Sequence, residues 1–173
     1  GYVSTSWERG YGDYVMKPDL ETLRPVPWLD GTAMVLCDIL DHHSHEAVPH
    51  APRAILKKQV ERAAAMGLSP VMATELEFFL FDGTHDQIAR NGFRNLQTIS
   101  NYNEDYHIFQ TTKEEGVMRP VRNHLRAMGI PIEGSKGEAE AGQEELNIRY
   151  ADALACADNH TIAKHAVKEI AHL

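Results

Sequence analysis

The chain has 173 residues, of which 43% are hydrophobic, and this composition is typical of a globular protein and excludes a disordered one. Its net charge of −8 argues against non-specific binding to nucleic acids and to anionic membrane surfaces. The sequence has no apolar run as long as a membrane span and no charged-then-apolar N-terminal signal, so we expect a cytoplasmic protein.

The first half of the chain predicts few regular elements. Residues 1–31 are rich in Gly, Pro and aromatic residues, and we expect loops with short strands there. The apolar residues 32–39 predict a buried strand, in which Cys37 would be a buried free thiol. One disulfide between Cys37 and Cys156 is possible. A helix is predicted over residues 52–66 because proline is tolerated in a first helical turn.

The second half alternates between strands and helices. The predicted segments are a strand (69–81), an irregular connection (82–112), a helix (113–128), a short strand (130–133), a glycine-rich turn (134–142), a strand (144–150) and a helix (151–173). The chain begins with glycine and ends within a helical pattern, so we expect it to be a piece of a longer protein.

Two carboxylates share one face of the strand over residues 69–81. Strand side chains alternate between faces, so Glu75 and Glu77 point the same way and Leu76 and Phe78 point the other way. Two carboxylates on an apolar strand require a compensating charge, and hard divalent cations prefer oxygen ligands. A pair of glutamates that bind Arg or Lys at the exposed end of a strand remains an equal alternative.

A second acidic cluster surrounds the strand over residues 144–150. Alternation places Glu145, Asn147 and Arg149 on one face and Leu146, Ile148 and Tyr150 on the other. Glu138 precedes the turn that leads into this strand. Taken alone, the cluster is better explained as an ordinary amphipathic strand after an acidic loop.

Three segments together resemble the glutamine synthetase family, and the similarity extends over nearly the whole chain. They are Gly10-Tyr11-Gly12-Asp13-Tyr14 with Pro18-Asp19 and the strand of Asp38, then Glu75-Leu76-Glu77-Phe78-Phe79-Leu80-Phe81-Asp82, and finally the run from Glu133 to Asp158 with Gly142-Gln143-x-Glu145. The order and the spacing of the segments match the family.

The resemblance implies a metal site and a nucleotide contact. Glu77, Glu138 and Glu145 would hold one Mg²⁺ or Mn²⁺ ion that faces the glutamate carboxylate and the attacking amine. Glu75 would contribute to a second metal ion on the ATP phosphates, and Glu133 aligns with the family's nucleotide-contacting glutamate. No residue is assigned as a catalytic acid, base or nucleophile.

The resemblance also implies the reaction, which is the ATP-dependent ligation of ammonia to the γ-carboxylate of glutamate through γ-glutamyl phosphate. Two divalent cations per complete site would neutralise and orient the reacting anions. The expected partners are glutamate, ATP, ammonia or a small amine, and further copies of the chain in an oligomer whose active sites are shared between subunits. Nucleic acids and membranes are not expected partners.

Two departures from the family's pattern leave alternatives open. The stretch from Glu138 to Glu145 is one residue shorter than in the best-known bacterial enzymes and is similar to the branch that includes γ-glutamyl-amine ligases. Family members are also much longer than this chain, so we expect it to be inactive alone, and a non-catalytic metal-binding remnant is a further alternative. A hydrolase that uses Glu75 and Glu77 is disfavoured, because carboxylates two apart on one strand do not flank a bond.

The expected fold is α/β (α+β), with a curved and largely antiparallel catalytic sheet, or partial barrel, backed by the helices 51–66, 113–128 and 151–173. Residues 1–42 would be the end of an N-terminal β-grasp-like domain, and residues 43–173 the first part of the catalytic domain. An open sheet edge favours association between chains, so we expect the isolated chain to self-associate.

Overall fold

The computed structural model describes residues 7–10 and 12–173. Tyr11 of the first family motif, and residues 1–6 of the segment predicted to be loop with short strands, lie outside the described residues. The chain forms two compact units: Gly1–Pro25 with Ala33–Pro70, and Val26–Thr32 with Val71–Leu173.

Seven strands and five α-helices make up the regular structure of the described residues. In chain order they are β1 (Tyr14–Pro18), β2 (Arg24–Pro25), β3 (Ala33–Met34), β4 (Cys37–Asp41), α1 (Pro52–Ala65), β5 (Val71–Phe79), α2 (His85–Arg90), α3 (Ile108–Lys113), α4 (Glu115–Ala127), β6 (Ile132–Gly137), β7 (Gln143–Asp152) and α5 (Ala153–His172). The strands form three antiparallel sheets in the described part of the chain, and none of these closes into a barrel. This confirms the predicted mixed α/β fold with antiparallel pairing.

The first unit contains two two-stranded sheets and α1. β1 pairs with β4, β2 pairs with β3, and α1 packs against β4. Asp38 of β4 accepts hydrogen bonds from Arg53 Nη1 at 2.7 Å and Lys57 Nζ at 2.6 Å, both on α1. Arg53 also donates to Asp19 Oδ2 at 2.7 Å, so the guanidinium bridges two carboxylates.

The second unit is a three-stranded sheet in the order β5-β7-β6, covered by helices. α5 packs against β5 and β7, and α4 packs against β6 and α5. Its buried core includes Leu125, Leu146, Ile148, Ile162 and Ala166. Burial of these side chains from two helices and the central strand fixes one face of the sheet as the inner face.

The predicted single strand over residues 32–39 and the predicted burial of Cys37 are wrong in detail. The apolar residues 32–39 form two short strands, β3 and β4, because each pairs with a different partner strand. Their side chains are mostly half-buried, and this includes Cys37. Both cysteines are free thiols, and Cys156 is the buried one.

The connection over residues 82–112 is less irregular than predicted, since it contains α2 and most of α3. α2 begins with a capping box. The Thr84 hydroxyl accepts a hydrogen bond from the Gln87 backbone N–H, and the Gln87 side-chain oxygen accepts one from the Thr84 backbone N–H. The glycine-rich turn over 134–142 is also shorter than predicted. β6 extends to Gly137 because it pairs with β7 along most of its length.

Among the described residues, no helix has both the length and the apolar character needed to cross a bilayer.

Candidate functional site

The outer face of the β5-β7-β6 sheet gathers the predicted carboxylates into rows. Glu77 of β5 lies opposite Glu145 of β7, and Glu145 lies opposite Lys136 of β6. In the next row, Glu75 lies opposite Asn147. Residues directly opposite each other in antiparallel strands point to the same face, so these side chains converge on one surface.

Burial follows the predicted alternation along β5, whereas on β7 the outer-face residue Glu145 is buried as well as Leu146 and Ile148. Leu76, Leu146 and Ile148 are buried against the helices, whereas Glu75 and Glu77 are exposed. The alternation ends at Tyr150, which is 61% exposed although the sequence predicts it on the inner face. A register shift between β5 and β7 adds one residue to β7 at this point, and a bulge of this kind changes where the side chain points.

Glu138 and Glu145 form a hydrogen-bonded carboxyl pair. This bond lowers the pKa of Glu138, with help from Lys136, and it raises the pKa of Glu145, with help from burial. The opposite directions of the two shifts are those expected of two carboxyl groups that interact closely. The negative charge of Glu75 also raises the pKa of Glu145, which indicates that Glu75 lies close to the pair.

Two polar side chains orient the carboxylates of this face. Gln143 Nε2 donates to Glu77 Oε2 at 2.7 Å. Lys136 Nζ donates to Glu138 Oε1 at 2.6 Å and also forms an ion pair with Asp105 Oδ1 at 3.0 Å. Like-charged carboxylates repel, and here Glu77 and Glu138 accept hydrogen bonds from two different donors.

Glu133 lies on β6, an outer strand of the same sheet. It is exposed and is the extra residue of β6 at a second register shift, between the pairs Ile132–Ile148 and Gly134–Asn147. A bulge re-aims a side chain relative to its neighbours on the strand.

The donor atoms of this face suit a hard divalent cation, because they are carboxylate oxygens. Glu77, Glu138 and Glu145 are not gathered as tightly as a coordination sphere requires. In the part of the chain that the structure describes, oxygens from three carboxylates lie within 4.8 Å of one another only in a different group.

That group is Glu104, Glu114 and Glu144, and all three residues are buried. It was not among the predicted sites. Glu144 could have been found, because alternation puts it on the apolar face with Leu146 and Ile148. Glu104 and Glu114 lie in polar stretches with no periodicity that indicates burial.

Comparison with known proteins agrees with these motifs. The profile of the family described as "glutamine synthetase, catalytic domain" matches residues 49–173. The γ-glutamylethanolamide synthetase GlnA4 of Streptomyces coelicolor is 41% identical over 171 residues, which are 99% of this chain and 37% of that protein. A glutamate–isopropylamine ligase from a Pseudomonas species is 36% identical, with the same coverage of both chains.

The fold agrees as well. A solved structure described as a GmaS/ADP complex superposes with a TM-score of 0.78 at 27% identity, over 92% of this chain and 35% of that one. The chain therefore spans a little more than a third of the length of the relatives that it matches. Because the family profile covers most of its residues and a relative is 41% identical over nearly its whole length, this chain belongs to the glutamine synthetase family.

Proposed function

We propose that this chain is part of an ATP- and divalent-metal-dependent ligase that joins ammonia or an organic amine to the γ-carboxylate of glutamate. The observation that carries the proposal is the carboxylate face of the second unit, on which Glu77 and Glu145 pair across the sheet and Glu138 hydrogen-bonds to Glu145. Membership of the glutamine synthetase family supports the same reaction.

In this proposal Glu77, Glu138 and Glu145 hold one Mg²⁺ or Mn²⁺ ion, Glu75 contributes to a second, and Glu133 contacts the nucleotide. Glu133 is exposed at a bulge of the outer strand β6, which leaves its carboxylate accessible to a nucleotide. When bound, the cations neutralise charge on the phosphates and on the substrate carboxylate.

The chemistry has two steps. An oxygen of the glutamate γ-carboxylate attacks the γ-phosphorus of ATP, and ADP leaves. The amine nitrogen then attacks the resulting acyl phosphate, and inorganic phosphate leaves with the loss of one proton from nitrogen. The chain's own contribution includes orientation, because Gln143 donates to the Glu77 carboxylate and holds it in place.

Two acceptors remain candidates. Ammonia is the acceptor that the family's name indicates. An organic amine is favoured by the two relatives reported above, which are named for an ethanolamide and for isopropylamine. The stretch from Glu138 to Glu145 offers no side chain that separates the two.

The proposal extends to the protein that contains this chain. Residues 1–42 would be the end of a β-grasp-like domain, and residues 43–173 the first part of the catalytic domain. The protein would be a cytoplasmic homo-oligomer with active sites shared between subunits. The chain spans about a third of the relatives' length, so we expect it to form no γ-glutamyl product alone.

The test is an acceptor panel on an active enzyme that carries this chain. We expect ATP-dependent γ-glutamyl products, identified by mass spectrometry, with ammonia, ethanolamine or isopropylamine. Glu77→Gln should remove the product, whereas Glu140→Gln, which alters an exposed carboxylate nearby, should retain it. Full activity in the Glu77→Gln enzyme, or turnover that does not require a divalent cation, would contradict the proposal.

A further inference from the structure

Three buried glutamates meet behind the carboxylate face, on the inner side of the sheet. Glu104, Glu114 and Glu144 are 0%, 1% and 2% exposed. One oxygen from each lies within 4.8 Å of the other two. Glu144 shares its strand with Glu145 but points to the opposite face, because adjacent strand residues alternate.

Most of the carboxylate oxygens in this cluster have no donor from outside it. Glu104 Oε1 accepts from the Gly142 backbone N–H at 3.1 Å. No donor from outside the cluster reaches Glu104 Oε2, either oxygen of Glu114, or Glu144 Oε1 among the described residues, although Glu104 lies within hydrogen-bonding reach of Glu114 and of Glu144. A buried carboxylate oxygen without a donor is costly, so three buried carboxyl groups this close together favour a positive charge among them, which a proton or a cation can supply.

The surrounding side chains do not supply that positive charge. Burial, followed by the charge of Glu104, raises the pKa of Glu114 to about 7. Burial, followed by the charges of Glu104 and Glu114, raises the pKa of Glu144 to about 8. Lys113 lowers the pKa of Glu114 only as the last of several effects, so its ammonium group compensates little.

The backbone makes room for the cluster. A Cβ atom at Gly137 would lie 2.5 Å from Glu104 Cβ and from Thr111 Cγ2, so only glycine allows Glu104 to approach β6 this closely. A cavity of about 290 Å³ reaches the cluster at Glu144, and its lining also includes the cationic side chains of Arg122, Arg126 and Lys136.

We propose that Glu104, Glu114 and Glu144 form a binding site for one hard divalent cation, separate from the catalytic carboxylates and on the opposite face of the sheet. The oxygen-only donor set selects Mn²⁺, Mg²⁺ or Ca²⁺ over thiolate-preferring metals. The ion joins the loop of Glu104, the start of α4 at Glu114, and β7, and so stabilises the strand that also carries Glu145.

The test is a count of bound Mn²⁺ by electron paramagnetic resonance. It is made on the Glu77→Gln, Glu138→Gln chain, in which the proposed catalytic-face site is disabled. We expect one saturable Mn²⁺ per chain to remain. Adding Glu114→Gln should weaken its binding by at least about tenfold. Glu61→Gln, at an exposed position on α1, is the matched control.

Thermal unfolding provides a second readout. Mn²⁺ should raise the Tm of the Glu77→Gln, Glu138→Gln chain, and the increase should disappear when Glu114→Gln or, as a second variant, Glu144→Gln is added. A folded double variant that binds no Mn²⁺ would overturn the inference and would indicate that protons alone neutralise the cluster. Binding that survives both added substitutions would also overturn it. Neither result affects the catalytic-face proposal, whose residues are already substituted in this experiment.

Discussion

At the residue scale, Lys136 is the strongest positive group beside the proposed catalytic metal site. Its ammonium group binds Glu138 and Asp105 and lies 4.8 Å from the centre of the Tyr106 ring. The hydrogen bonds to Glu138 and Asp105 raise the pKa of Lys136, so it stays charged at neutral pH. A cation at Glu138 must therefore compete with this ammonium group.

Removal of that competitor should strengthen metal binding. We expect Lys136→Met to tighten the binding of Mn²⁺ at the catalytic face by about fivefold, since a unit charge about 4 Å away is worth about 1 kcal/mol in water. Isothermal titration calorimetry measures the change. Lys164→Met, which removes an exposed ammonium group on α5, is the control and should leave affinity unchanged. Weaker binding in Lys136→Met would show that the lysine orients Glu138 productively instead.

The ion pairs of Asp38 predict a pH effect on stability. Burial alone would raise the pKa of Asp38, but the hydrogen bonds from Lys57 and Arg53 lower it overall. A carboxylate whose pKa is lowered by folding stabilises the folded state above its ordinary pKa of 3.8, and this contribution is lost as the pH falls through the folded pKa.

We therefore expect Asp38→Asn to lower the free energy of unfolding by about 1 kcal/mol at pH 7, and the difference from the unchanged chain to shrink below pH 3.8. Urea denaturation at a series of pH values measures both. Asp13→Asn, at an exposed position, is the control. A difference that stays constant down to about pH 2 would contradict the assignment.

The candidate residues were predictable from sequence to different degrees. Glu75, Glu77 and Glu145 follow from strand alternation, because each lies on a strand whose other face is apolar. The contact between Glu138 and Glu145 depends on how the chain turns between β6 and β7, which the glycine-rich sequence leaves open. Glu104 depends on a long connection whose path no local pattern determines.

At the scale of elements, β6 depends on a glycine that accommodates a neighbour. Gly137 lacks a Cβ that would overlap Glu104 and Thr111, whereas Gly134 on the same strand has open space around it. We expect Gly137→Ala to lower the free energy of unfolding by about 2 kcal/mol through overpacking, and Gly134→Ala to have little effect. Chemical denaturation of the two variants measures the difference. Equal stabilities would mean that the Glu104 loop moves aside freely.

Element types were predicted well where periodicity is strong. β5, β7, α4 and α5 lie close to the predicted segments. α2 was missed although Thr84 and Gln87 form a capping box, because six residues are too few to show a helical period. β6 was predicted too short, because pairing with β7 outweighs the low strand propensity of its glycines.

At the scale of the whole molecule, the second unit exposes apolar side chains near its sheet edges. β5 and β6 are the outer strands, and Val71, Met72 and Phe79 of β5 are exposed. Exposed edges with apolar side chains promote association between chains. We expect light scattering on the chain at high concentration to report oligomers, which dilution should dissociate. A single monomer species throughout would contradict this expectation.

The fold class was predictable because family motifs and strand alternation both lead to an antiparallel sheet backed by helices. The division into two compact units was not, since Val26–Thr32 joins the second unit across a gap in sequence. Trp28 Nε1 of that segment donates to Glu169 Oε2 at 2.8 Å, a contact between residues 141 positions apart. No local pattern predicts so distant a pairing.

The proposed function depends above all on a divalent metal ion that binds the outer face of the β5-β7-β6 sheet through Glu77, Glu138 and Glu145. The decisive experiment is calorimetric titration of Mn²⁺ into the chain, its Glu77→Gln variant and the Glu140→Gln control. We expect saturable binding in the chain and the control, with one component weakened by at least about tenfold in Glu77→Gln. Identical isotherms for the three folded proteins would contradict the proposal. They would indicate that the chain retains the family's carboxylate motif without binding a metal ion there.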